Sequence, residues 1–167
     1  MVGATARRPL KGDRRLGSCT SNAPGRPRPS RRWGSFPTTA DVGLWATGPD
    51  AATLLEGLGL ALYALVSDPK KVRPVEERVV RASGRDPTEL VVAFLGKLLE
   101  LEETDGFLAR KIEARVEGRP PTGVVARLFG EPFDAARHVP RTEVKAITYH
   151  RLLFDTEHGR ARVIVDI

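Results

Sequence analysis

Thr38-Thr39-Ala40-Asp41-Val42-Gly43-Leu44-Trp45-Ala46 is the stretch at which a chain of arginine, proline, glycine and serine becomes one with a fold. From Val42 the apolar residues alternate. Val42, Leu44 and Ala46 share one face of an extended segment that runs to Thr47, where Gly48-Pro49 ends it. Asp41 stands at the mouth of that strand, with no basic residue within eight positions on either side.

Upstream, residues 1–35 hold nine of the 27 Lys and Arg but only one of the 21 acids, Asp13. The remaining 132 residues carry 18 basic and 20 acidic side chains, so the body is almost neutral and the basic pI belongs to the tail. That composition buries too little apolar surface to offset ordering entropy, so residues 1–35 are expected to be disordered and residues 36–167 to form one domain. The tail is able to meet RNA phosphates weakly and without sequence preference. The lone cysteine, Cys19, precludes a disulfide within the chain and fits a reducing, cytoplasmic setting. No apolar run has the length of a membrane span, and no membrane association is expected.

Downstream, Asp50 is placed to cap a helix over Ala51–Val66, with Leu54, Leu55, Leu58, Ala61, Leu62 and Leu65 as its apolar stripe. Gly57 and Gly59 within it cost about 1 kcal/mol each against alanine, which implies close packing on a sheet. The segment Val72–Ala82 carries charge on both faces and reads as an edge strand. Asp86-Pro87-Thr88-Glu89 starts a second helix, which runs to about Glu103 with Leu90, Phe94, Leu95, Leu98 and Leu101 inward. Ile112, Ala114 and Val116 alternate with charged residues, turn through 118–123, and return along Val124, Ala126 and Leu128 as a hairpin. Residues 130–140 read as a loop, Glu143–Asp155 as a long strand, and Ala161–Ile167 as the closing strand after a turn at His158-Gly159. The order β-α-β-α-β-β-β-β describes an α+β domain: a mostly antiparallel sheet with two helices on one face.

Several residues have the chemistry of a site. On the closing strand Val163, Val165 and Ile167 share one face, while Arg162, Ile164 and Asp166 share the other. Asp166, the terminal carboxylate of Ile167 and Asp41 would together offer hard oxygen donors suited to Ca²⁺, Mg²⁺ or Mn²⁺. The plain alternative is a turn-capping Asp41 and a solvated Asp166. In Lys145-Ala146-Ile147-Thr148-Tyr149-His150, Thr148 and His150 alternate in phase with Val144, Ala146, Leu152 and Phe154. A polar pair on such a face must be hydrogen-bonded or lie beside a site, so His150 is a metal ligand, a proton carrier or a satisfied core histidine. His138 and His158 are expected in solvated loops. The body has no cysteine nucleophile, no serine in a Gly-x-Ser-x-Gly setting, no His-Glu-x-x-His and no phosphate-binding loop.

These pieces, in order, resemble the archease family. Thr38-Thr39-Ala40-Asp41-Val42-Gly43 is similar to the family's His-Thr-Ala-Asp-Ile-Gly opening, with Thr38 where the family has histidine. Asp105-Gly106-Phe107-Leu108, Phe129-Gly130-Glu131-Pro132-Phe133-Asp134, Glu143-Val144-Lys145-Ala146-Ile147-Thr148-Tyr149-His150 and the terminal Val165-Asp166-Ile167 follow in the family's sequence. The resemblance implies a protein cofactor, not an enzyme, that activates the GTP-dependent tRNA-splicing RNA ligase RtcB by promoting its guanylylation and multiple turnover. It implies a metal site, calcium in the family, at Asp41, Asp166 and Ile167; Lys145, Thr148 and His150, from the strand reading above, are candidate supporting residues. Two other readings stand beside it: an independent divalent-metal-dependent phosphoester hydrolase, and an RNA-binding module working through the basic tail.

Overall fold

The structure, a computed structural model, describes residues 32–167. The expected disorder of the tail and the lone Cys19 concern residues 1–31, outside the described ones. Seven strands and two helices run in the order β1 (Arg32–Pro37), β2 (Val42–Thr47), α1 (Ala51–Val66), β3 (Glu76–Ser83), α2 (Pro87–Asp105), β4 (Phe107–Glu117), β5 (Gly123–Pro132), β6 (Ala146–Asp155) and β7 (Arg160–Asp166). The α+β class holds. The strands form two antiparallel sheets instead of one, ordered β1-β2-β7-β6 and β3-β5-β4.

The helices are not on one outer face. α1 packs against β1, β2 and β7 of one sheet and β4 of the other, and α2 packs against β6 of the first and β3, β4 and β5 of the second. Both therefore lie between the sheets. The physical reason is visible in α1, where every residue from Leu54 to Tyr63 is buried. A helix that is apolar all round needs cover on every side, not a single stripe. Its two glycines serve the two sides. A Cβ at Gly57 would meet the Ala46 Cβ of β2 at 2.8 Å, whereas one at Gly59 would meet Ile112 of β4 at 2.7 Å and Leu98 of α2 at 2.8 Å. Each fully buried leucine in this layer contributes about 1.5–3 kcal/mol. Glu56, on the same helix, accepts a hydrogen bond from the Ala114 main-chain N–H at 2.8 Å, which covers the outer edge of β4.

The helix ends follow from local chemistry. Asp50 accepts from the Thr53 N–H and hydroxyl, both at 2.8 Å. Asp86 accepts from the Thr88 and Glu89 N–H groups, and Glu89 reaches back to the Arg85 N–H at 2.7 Å. Gly106 ends α2 in the left-handed region at φ 62°, a conformation open to glycine at little cost.

The domain begins earlier than its composition implies. Residues 32–35, placed in the tail by their arginine, glycine and serine content, form β1 with Phe36 and Pro37 and pair with β2. Two aromatic–glycine pairs hold that hairpin on its outer face. Gly34 lies under the Trp45 ring, and the Phe36 ring lies over Gly43, where any Cβ would be driven into it. Trp33 on the opposite face packs on the core.

Candidate functional site

The site is built on the first sheet, around the end of β7. The hairpin turn between β1 and β2 is closed by Thr38. Its N–H donates to the Asp41 carbonyl at 3.0 Å, its hydroxyl donates to the same oxygen at 2.9 Å, and that hydroxyl accepts from the Asp41 N–H at 3.1 Å. Thr38 thus fixes the backbone of Asp41. Neither an ion pair nor a hydrogen bond engages the Asp41 carboxylate among the described residues.

Val42 stands opposite Val165 in the terminal rung of the β2–β7 ladder, so Asp41 and Asp166 each lie one residue beyond that rung. On the other side of β7, Ala146 stands opposite Asp166. Lys145 donates its N–H to the Asp166 carbonyl at 2.8 Å and its ammonium to the Ile167 main-chain oxygen at 3.1 Å. Asp41, Asp166 and Ile167 therefore lie at the same end of this sheet, with Lys145 holding the Ile167 main-chain oxygen.

Thr148 stands opposite Ile164 and donates to the Ile164 carbonyl at 2.9 Å. Beyond it the strand departs from alternation. Thr148 pairs with Ile164 and Leu153 with Arg162, so four residues of β6 span one of β7. The bulge holds Tyr149, His150 and Arg151, all exposed, with Arg151 at φ 52°. Three extra residues reverse the parity of the strand. Ile147 faces the core before the bulge, and Leu152 and Phe154 face it afterwards. His150 is therefore not a core histidine and does not share a face with Leu152 and Phe154. It lies with Arg151 on one wall of a cleft of about 250 Å³ whose other wall is Thr38, Thr39, Ala40 and Asp41 and whose floor is Ile164. Asp166 lies two residues along from that floor.

Among the described residues no group of three or more His, Cys, Asp or Glu side chains is arranged to hold a metal ion. The oxygen donors at this end of the sheet include the Asp41 and Asp166 carboxylates and the Ile167 main-chain oxygen. They have the hardness that Ca²⁺, Mg²⁺ or Mn²⁺ requires, but are too few to enclose one of these ions.

A second polar cluster was not anticipated from sequence. Glu131, at the end of β5, is 3% exposed, and His138, placed by sequence in a solvated loop, is 1% exposed. Glu131 accepts from the Arg73 N–H at 2.7 Å and its guanidinium at 3.1 Å, and takes two parallel bonds from Arg137 at 2.8 Å. His138 Nδ1 accepts from the Asp134 N–H at 2.8 Å, so Nε2 carries the proton and points at Glu131 at 3.2 Å. The hydrogen bonds from Arg137 are the main force holding the Glu131 carboxyl far below the usual carboxylate range, against the opposing effect of burial. The stretch expected to be a loop from residue 130 is thus strand to Pro132 and then a turn clamped to Glu131. Only the spacing Glu131, Arg137, His138 hinted at it. His158 is exposed as expected, bonded to Asp155 in the β6–β7 turn.

Comparison with known proteins bears on the whole described region. The family model described as "Archease protein family" matches residues 33–167. A protein named "Protein archease" from Pyrococcus abyssi is 34% identical over 142 residues, covering 82% of this chain and 99% of the relative. A protein of the same name from Methanopyrus kandleri is 36% identical over 143 residues, covering 81% and 99%. The solution structure of protein 1598 from Methanobacterium thermoautotrophicum superposes with a TM-score of 0.69 at 29% identity, covering 81% of this chain and 98% of that one.

Proposed function

The chain belongs to the archease family, and from that premise we propose that it activates an RtcB-type, GTP-dependent RNA ligase in tRNA splicing, by carrying divalent-metal ligands to the ligase's nucleotide site. The observation that supports this reading is that Asp41 and Asp166 each lie one residue beyond the Val42–Val165 rung, at the sheet end where Lys145 holds the Ile167 main-chain oxygen. Both carboxylates lack a protein partner among the described residues, which leaves their oxygens free for a cation.

Each residue has a task in this scheme. Asp41 and Asp166 donate oxygens, and the hydrogen bonds of Thr38 and Lys145 preorganise the backbone on either side of them. A divalent cation there would act as a Lewis acid toward phosphoryl oxygens. So small a protein donor set leaves coordination positions for water and for oxygens of a second molecule, which suits a helper that shares an ion with its partner. His150 and Arg151, across the cleft, are placed to meet the negative charge of a phosphate group. Calcium is the ion favoured by family resemblance, and Mg²⁺ and Mn²⁺ satisfy the same donors. The protein is expected to act in the cytoplasm.

The test is single-turnover guanylylation of an RtcB-type ligase with and without this protein. Asp41→Ala should abolish the stimulation while its thermal melt stays that of the wild type. Stimulation at the wild-type level by that variant refutes the assignment.

A further inference from the structure

On the far side of the molecule from the cleft's sheet, β3 is the edge of the three-stranded sheet. Its outer face presents Glu77, Val79 and Arg81, opposite Phe129, Arg127 and Val125 of β5. Val79 is 53% exposed, one of the largest apolar exposures in the described chain. Arg81 has no carboxylate partner among the described residues.

The hydrogen-bonding phase of this edge can be read directly. Ser83 stands opposite Gly123, and one step on the Gly84 N–H donates to the Thr122 carbonyl at 2.9 Å. Positions 84, 82, 80 and 78 therefore bond to β5, and positions 77, 79, 81 and 83 turn their N–H and C=O groups outward. Glu77, Val79 and Arg81, whose side chains stand on the exposed face, are three of these four positions. An open edge of this kind is a template for another strand.

We infer that the strand it fits is β3 of a second copy of this chain, paired antiparallel about a twofold axis through Val79. In that register Val79 faces Val79 of the second copy, Glu77 faces its Arg81, and Arg81 faces its Glu77. All three pairs are of the hydrogen-bonded kind, giving about six main-chain hydrogen bonds and a continuous six-stranded sheet. Opposite charges across the pair favour it, and apolar contact at the centre adds to it. The pattern also rejects alternatives. A slip of two residues sets Val79 against Arg81 or Glu77 and leaves their charges unmatched, and parallel pairing sets Glu77 against Glu77. A foreign strand without that charge order would desolvate an unpaired arginine. Two existing contacts adjust to the pairing. Glu77 keeps acceptor sites free beside its two bonds to Arg127, at 2.8 and 3.0 Å, and the Arg78 guanidinium, which donates to the Glu77 carbonyl at 3.2 Å, gives way to a main-chain N–H.

The test is sedimentation equilibrium of the full chain over a range of concentrations. The mass should rise from 18.3 kDa toward twice that value. Arg81→Glu and, separately, Val79→Lys should hold the mass at a single chain with unchanged melting. An equimolar mixture of Arg81→Glu with Glu77→Arg should form a mixed dimer although each variant alone does not. Glu77→Arg also loses the Arg127 bonds, so its melt is recorded, and if it does not fold the two other variants decide. A wild-type chain that stays single at every concentration overturns the inference, and so does a dimer unaffected by Val79→Lys and Arg81→Glu or an edge occupied by a different protein.

Discussion

The molecule contains two clusters of acids that treat their charge in opposite ways. Glu131 is buried and receives hydrogen bonds from two arginines and a histidine. Asp41 and Asp166 sit at a half-buried turn and an exposed strand end, each one residue beyond the Val42–Val165 rung, with no bond to either carboxylate among the described residues. Both belong to stretches that resemble family motifs, yet they cannot have the same purpose. A carboxylate whose acceptor sites are all taken inside the protein stabilises the fold and has nothing left for a ligand. One whose backbone is fixed while its side chain is left unpaired has the reverse arrangement.

The contrast is broken most forcefully at Glu131. Glu131→Ala would leave Arg73 without its anion, Arg137 with Asp134 alone, and His138 Nε2–H without an acceptor. Losing the hydrogen bonds of a buried charged group costs about 1–3 kcal/mol, read from urea unfolding midpoints. Asp41→Ala, judged by the same measurement, should stay within about 0.5 kcal/mol, because no intramolecular bond of its carboxylate is lost. Equal losses in the two variants would remove the distinction between a structural and a functional cluster.

Acid sharpens the same comparison at intermediate cost. The Glu131 carboxyl is held far below its ordinary range mainly by the Arg137 hydrogen bonds. Asp155 is lowered to about 2, first by the His158 N–H and then by the His158 and Arg160 side chains. A group whose folded-state pKa is depressed contributes stability that is complete above its unfolded value and is lost as pH falls toward the folded one. Unfolded carboxyls titrate near about 4. Stability should therefore be flat above pH about 5 and fall steadily below about 4, with protonation of both groups driving unfolding. Glu131→Gln should flatten that acid limb and leave the part due to Asp155 and to Glu77, Glu89, Glu113 and Asp134, which hydrogen bonds also hold below their ordinary range. An acid limb of unchanged slope would mean that Glu131 is not the anion the network is built around.

What could be read from sequence divides along the same physical line. β2, α1 and its Asp50 cap, and the Asp86-Pro87 start of α2 were legible because they depend on neighbours within about four residues. β1 was hidden because its composition matches the tail. Its pairing rests on Phe36 lying over Gly43 and Trp45 over Gly34, contacts that exist only across the hairpin. The parity reversal in β6 was illegible for a related reason, since alternation assumes an unbroken ladder and the bulge spends three residues on one rung. His138 was misread because burial of a loop histidine depends on Glu131 and Arg137 arriving from elsewhere. For the site, the identities Asp41, Asp166 and Ile167 stood out by charge and position, whereas the Thr38 clamp and the cleft wall of His150 and Arg151 needed the register.

The smallest expected effect lies in that cleft wall, at Arg151. Its φ of 52° puts a side chain with a Cβ in the left-handed region, which costs about 1–2 kcal/mol. The bulge tolerates this because residues 149–151 have no ladder partners to satisfy. Arg151→Gly removes the steric cost but adds about 0.5–1 kcal/mol of backbone entropy to the unfolded chain, so the two nearly cancel. Unfolding stability should move by less than about 1 kcal/mol, and toward greater stability if it moves at all. Arg151 lines the same cleft as Asp41 and its guanidinium makes no hydrogen bond or ion pair among the described residues, so nothing in the fold requires it there. If the cleft receives a phosphate-bearing partner, Arg151→Gly should weaken stimulation of the ligase through a higher concentration required for half-effect, with the maximal stimulation retained. A variant equal to wild type in both respects would confine the working part of the site to the carboxylates, and a marked loss of stability would mean that the bulge is held by Arg151 and not by the strands on either side of it.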